Sequence, residues 1–169
     1  MYPSDLILIV LVACLKVQSC GARPYDTDDM NAQSDNGLFK YKLPTELIDD
    51  TVVIINGTLN KNQKMFTAKL PSQTSQDADC MIVYDFQESQ LKVKPASSQD
   101  QVPYNMDDEK KTFNLRLKAR NQIIDFQFEG NDAGPSDILA CKIKNFQDIS
   151  GIVIEGIENV DTLLFEFPK

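Results

Sequence analysis

Thr112 to Ala119 reads TFNLRLKA, with Phe113, Leu115, Leu117 and Ala119 at every second position and Asn114, Arg116 and Lys118 between them. Side chains of an extended chain alternate between two faces. This period therefore describes a half-buried antiparallel strand, one face on a core and the other in water or against a ligand. Working outward, other short runs are equally rich in β-branched and aromatic residues. They are TVVIING from Thr51, MFTAKL from Met65, CMIVYDF from Cys80, LKVK from Leu91, IIDFQFEG from Ile123, ILACKIKNF from Ile138, GIVIEGI from Gly151 and LLFEF from Leu163. Turn-forming segments separate them, and KPASSQDQVP, Lys94 to Pro103, reads as a surface loop. No stretch holds helical periodicity over three turns. So many strands within about 130 residues predict an all-β fold, a sandwich or a barrel.

The chain has 169 residues, 42% of them hydrophobic, which suits one folded domain. LILIVLVACL, Leu6 to Leu15, is too short to span a bilayer, and Val17 and Ser19 behind it suit signal peptidase. The expected organisation is a signal peptide over 1–19, a flexible acidic arm over 20–37 and a folded domain over 38–169. Within the arm, Asp26, Asp28, Asp29 and Asn31 lack the turn glycine and terminal glutamate of a calcium loop. The formal charge of -8 describes an acidic extracellular protein, with no electrostatic case for nucleic acid and no membrane insertion after signal cleavage. Cys80 and Cys141 would then lie in an oxidising compartment, either as a disulfide or as two buried thiols. Asn56-Gly57-Thr58 is a glycosylation sequon or a turn ending its strand. The chain has no histidine, which removes His-based acid–base catalysis, His-activated nucleophiles and ordinary zinc sites. Asp107, Asp108 and Glu109 sit beside lysines as a solvated turn does, so no catalytic residue, metal or cofactor is expected.

Three longer segments carry a more specific pattern. Leu43 to Leu70 has a Leu-Pro start, a strand ending in Gly57, and a second strand with Phe66 and Leu70. Thr112 to Asn131 forms paired strands, and Ile138 to Phe167 spaces Ile149, Ile152, Ile154 and Gly156 along closing strands. In order and spacing these resemble the galectin family, over Leu38 to Phe167. The resemblance implies a two-sheet antiparallel β-sandwich, jelly-roll-like, that binds β-galactosides on its concave sheet. The family's signature strand presents His, Asn and Arg to the sugar; here that strand is DADCMIVYDF and the three positions are Met81, Val83 and Asp85. Cys80, Ile82, Tyr84 and Phe86 then point inward. The next strand's Asn falls near Lys94. The stacking Trp is absent, with Tyr104 its nearest candidate ahead of Asp107 and Glu109, either against a sugar or tucked onto the sheet.

Each unmade hydrogen bond to a buried hydroxyl costs roughly 1–3 kcal/mol, against a total near 4 kcal/mol for a millimolar complex. Conventional galactoside recognition is therefore not expected. A different glycan or glycoprotein could be held through Asp85, Lys94, Arg116 and Tyr104. The alternative is an extracellular protein-interaction or structural module that contacts its partner through exposed Met81 and Val83 or through its loops. On the same strand parity Cys80 and Cys141 face inward from opposite sheets. They bridge only if their Cβ atoms approach to roughly 4 Å, although packed sheets sit about 10 Å apart.

Overall fold

Alternation of apolar and polar side chains, repeated along the chain, produces strands whose buried faces close on each other. The computed structural model describes residues 37–60, 62–72, 78–94, 101–106, 112–130 and 134–168, with the backbone alone at 78, 79 and 134. The expected signal peptide, nearly all of the acidic arm and the Asp107 to Glu109 cluster lie outside the described residues. The strands are β1 (Leu38–Lys42), β2 (Val52–Leu59), β3 (Met65–Pro71), β4 (Ala78–Asp85), β5 (Gln90–Lys94), β6 (Gln101–Pro103), β7 (Thr112–Arg120), β8 (Ile123–Gly130), β9 (Gly134–Pro135), β10 (Leu139–Lys142), β11 (Gly151–Glu155) and β12 (Ile157–Glu166). They form two antiparallel sheets. The first runs β1-β11-β3-β4-β5-β6; the second runs β10-β8-β7-β2-β12, with short β9 beside β8. The architecture is the expected β-sandwich. The one helical element among the described residues is a 3-10 turn at Phe146–Asp148.

The inner faces follow the period-two reading. Phe66, Ala68, Leu70, Cys80, Ile82, Tyr84, Leu91, Val93, Ile152 and Ile154 of the first sheet are buried. They face Val53, Ile55, Phe113, Leu115, Leu117, Ile124, Phe126, Phe128 and Leu163 of the second, in one core cluster. At one end the rings of Phe66, Phe113, Phe128 and Tyr84 pack with centroids 4.9 to 5.9 Å apart. Cys80 on β4 and Cys141 on β10 form a disulfide with Cα atoms 6.0 Å apart. The bridge fits because β10 is the edge strand of its sheet, where the two layers close below their usual separation.

Three sequence readings change. Residues 101–103 of the expected Lys94 to Pro103 loop form β6, paired to β5 with Lys92 opposite Gln101. GIVIEGI is two strands in different sheets, broken at Gly156, whose φ of 85° sharply redirects the chain. The Asn56-Gly57-Thr58 sequon lies within β2, not at a turn. Gly57 is required there by close approach, because an added β-carbon would overlap the Asn159 carbonyl oxygen where β12 bulges.

Candidate functional site

The solvent side of the six-stranded sheet gathers most of the residues singled out from sequence. On β4, Met81 and Asp85 are partly exposed and point away from the core, with Val83 between them. Register places Met81 opposite Lys69 and Lys94, Val83 opposite Thr67 and Lys92, and Asp85 opposite Met65 and Gln90. Val153 on β11 pairs with Lys69 on one side and with Lys40 of β1 on the other. One row therefore crosses five strands in the order Lys40, Val153, Lys69, Met81, Lys94. The next row carries Leu38, Glu155, Thr67, Val83, Lys92 and Gln101.

The floor of this face is apolar and low. Val83 is 7% exposed and Thr67 8%, far less than the flanking lysines. Long lysine stems rise around them and carry their ammonium groups to solvent. The expectation of an exposed Val83 is therefore corrected, while Met81 remains partly exposed.

The acids on this face are already engaged. Glu155 accepts from Lys69 Nζ at 2.7 Å. Asp85 Oδ1 accepts from the backbone N–H groups of Gln87 and Glu88, at 2.9 and 3.1 Å, and so closes the β4–β5 turn. Glu88 in turn pairs with Lys92, and this hydrogen bond is the main cause that pushes the Lys92 ammonium pKa up. Lys40, Lys42 and Lys94 are exposed and have no acidic partner among the described residues.

Two expected site residues lie elsewhere. Arg116 is exposed on β7, opposite Ile54 and Gln127 in the second sheet, and so on the far side of the sandwich from Met81. Tyr104 is 6% exposed and belongs to the core. Its hydroxyl accepts from Gly130 N–H at 2.6 Å, its carbonyl accepts from Tyr84 Oη at 3.2 Å, and its ring meets Tyr84 and Phe128 edge-on. Burial pushes the Tyr104 phenol pKa up. It is the tucked aromatic, not a stacking platform. Asp107 and Glu109 lie outside the described residues. Asn56 is half-buried on the solvent side of β2, its Oδ1 accepting from Asn114 Nδ2 at 2.7 Å.

Sequence reasoning missed Lys40, Lys42, Lys69 and Lys92. Each stood at a polar position of its strand, which was a readable signal, but their joining into rows depends on which strands pair.

The order of strands defines a two-sheet antiparallel β-sandwich with a solvent-facing side on its six-stranded sheet. Among solved structures the chain is similar to several galectins. Sheep galectin-11 in complex with glycerol has a TM-score of 0.51 at 11% identity, covering 79% of this chain and 96% of that one. Caenorhabditis elegans galectin LEC-6 has 0.50 at 12%, covering 81% and 99%. A double mutant of congerin II has 0.55 at 12%, covering 78% and 100%. The fold is the galectin fold, as the sequence pattern implied. No protein-family profile matches the chain, and no curated protein matches it in sequence.

Proposed function

We propose that the chain is a secreted, non-catalytic carbohydrate-binding protein that holds a glycan on the solvent side of the six-stranded sheet, without the conventional galactoside-binding set. The observation that carries this reading is the row Lys40, Val153, Lys69, Met81, Lys94. Its ammonium groups can donate to sugar hydroxyls, and its apolar members offer the C–H side of a ring something to pack on. Asp85 replaces a cation with a carboxylate already used in a turn, and Met81 and Val83 provide no hydrogen-bond donor. That substitution argues against a galactoside in the usual pose. The Cys80–Cys141 disulfide supports an oxidising compartment, in line with the apolar N-terminal segment.

A glycan array probed with the secreted mature protein tests this. Reproducible binding that Lys94→Ala weakens, while Arg116→Ala on the far sheet leaves it unchanged, is the expected result. Silence across the array from a protein with a folded β-sheet spectrum would overturn the reading and turn the search to protein partners.

A further inference from the structure

The whole chain carries a formal charge of -8. The solvent side of the six-stranded sheet has the opposite sign: Lys40, Lys42, Lys69, Lys92 and Lys94 stand on its strands against Glu155, Asp85 and the turn residue Glu88 that pairs with Lys92, an excess of two positive charges among the side chains described. Charges are screened over about 8 Å at physiological salt. A ligand seated on the face therefore responds to the local lysines more than to the distant acids.

Spacing narrows the ligand. Lys40, Lys69 and Lys94 occupy alternate strands of one row, so their Cα atoms are separated by about 10 Å, two inter-strand distances. Lys40 and Lys94 are then about 20 Å apart, four inter-strand distances, so no single small anion reaches all three lysines. One exposed pair changes affinity by no more than about fivefold. A chain bearing anionic groups at intervals engages several lysines together, and three such contacts multiply to on the order of a hundredfold. Lys40 and Lys94, at the two ends of the row, have no acid to release among the described residues.

Resting on the reading of this face as a glycan site, we infer that its ligand is an acidic glycan. Sulfate or carboxylate groups along the sugar chain lie against Lys40, Lys69 and Lys94, while Met81 and Val153 underlie the rings between them.

The test uses the mature, disulfide-bonded protein and four immobilised probes: heparin, hyaluronan, a neutral dextran, and a DNA duplex. Heparin and hyaluronan separate sulfate from carboxylate as the recognised group. Binding to either, stronger than to dextran and DNA and weakened by salt, is expected. Lys40→Gln with Lys94→Gln lowers it by roughly tenfold or more, whereas Arg116→Gln with Lys142→Gln on the other sheet changes it less than about twofold, although the charge change is identical. Circular dichroism checks that both variants fold. Equal losses in the two variants, or equal retention of DNA, would overturn the inference as unspecific attraction. Binding of neutral glycans alone would overturn it and leave the carbohydrate-binding reading standing. Binding of no glycan, here and on the array, would remove both.

Discussion

At Tyr104 one hydroxyl decides whether the ring belongs to a ligand or to the core. The phenol accepts from the buried Gly130 N–H at 2.6 Å, and the ring completes an aromatic cluster with Tyr84 and Phe128. Tyr104→Phe keeps the ring and removes the acceptor, leaving that N–H unpaired. An unmade buried hydrogen bond costs about 1–3 kcal/mol, so the urea midpoint should fall accordingly while glycan binding by the folded protein stays the same. Loss of binding with unchanged stability would instead place Tyr104 at the ligand. The same geometry makes Tyr104→Ala a poor probe of binding. Removing a buried aromatic side chain costs about 3–5 kcal/mol and would be read as unfolding. No periodicity could reveal this from sequence, because Tyr104 follows a three-residue strand at its irregular end.

Elements were legible where alternation runs unbroken, and less so where the chain changes sheets. In β4 the parity that sends Cys80, Ile82 and Tyr84 inward also sends Met81, Val83 and Asp85 to the outer side, where Met81 and Asp85 are partly exposed and Val83, covered by its neighbours, is 7% exposed. Parity gives the face of a strand within its own sheet but not which sheet the strand joins. Arg116 was read correctly as outward and still belongs to the wrong side of the molecule, since pairing with β2 and β8 is a long-range property. In the run GIVIEGI the buried hydrophobic side chains are Ile152, Ile154 and then Ile157, so the alternation slips by one position at Gly156. That slip marks the single residue between β11 in one sheet and β12 in the other. Gly156 has φ of 85°, its N–H donates to the Gly37 carbonyl at 3.2 Å, and an added β-carbon would overlap the Met65 carbonyl oxygen. Gly156→Ala therefore combines a left-handed backbone with a clash against main chain that cannot rotate away. A loss of about 2–4 kcal/mol is expected in equilibrium unfolding. A change below about 0.5 kcal/mol, the size of an ordinary surface substitution, would mean that the corner does not hold the two sheets in place.

On the scale of the whole molecule, the two sheets meet mainly through apolar side chains, and at the β10 edge a covalent bond joins them. β10 has four residues and a single partner strand on its ladder, β8, so few backbone hydrogen bonds hold it. Cys141 ties it across the core to Cys80, a position 61 residues away in sequence. Closing a loop of that length restricts the unfolded chain by about 4 kcal/mol in the chain-entropy treatment, a large part of a domain's usual net stability. The paired variant Cys80→Ala with Cys141→Ala should therefore lower the unfolding free energy by roughly that amount. The sheet spectrum should survive in the cold, because the aromatic cluster and the other ladders remain. Amide exchange distinguishes where the loss is felt. The N–H groups of β10 should lose protection before those of β2 and β7, which are paired on both sides. If instead protection falls uniformly and stability changes little, the β10 edge is held by its packing of Leu139 and Ile143, and the bridge only reports the oxidising compartment in which the chain folded.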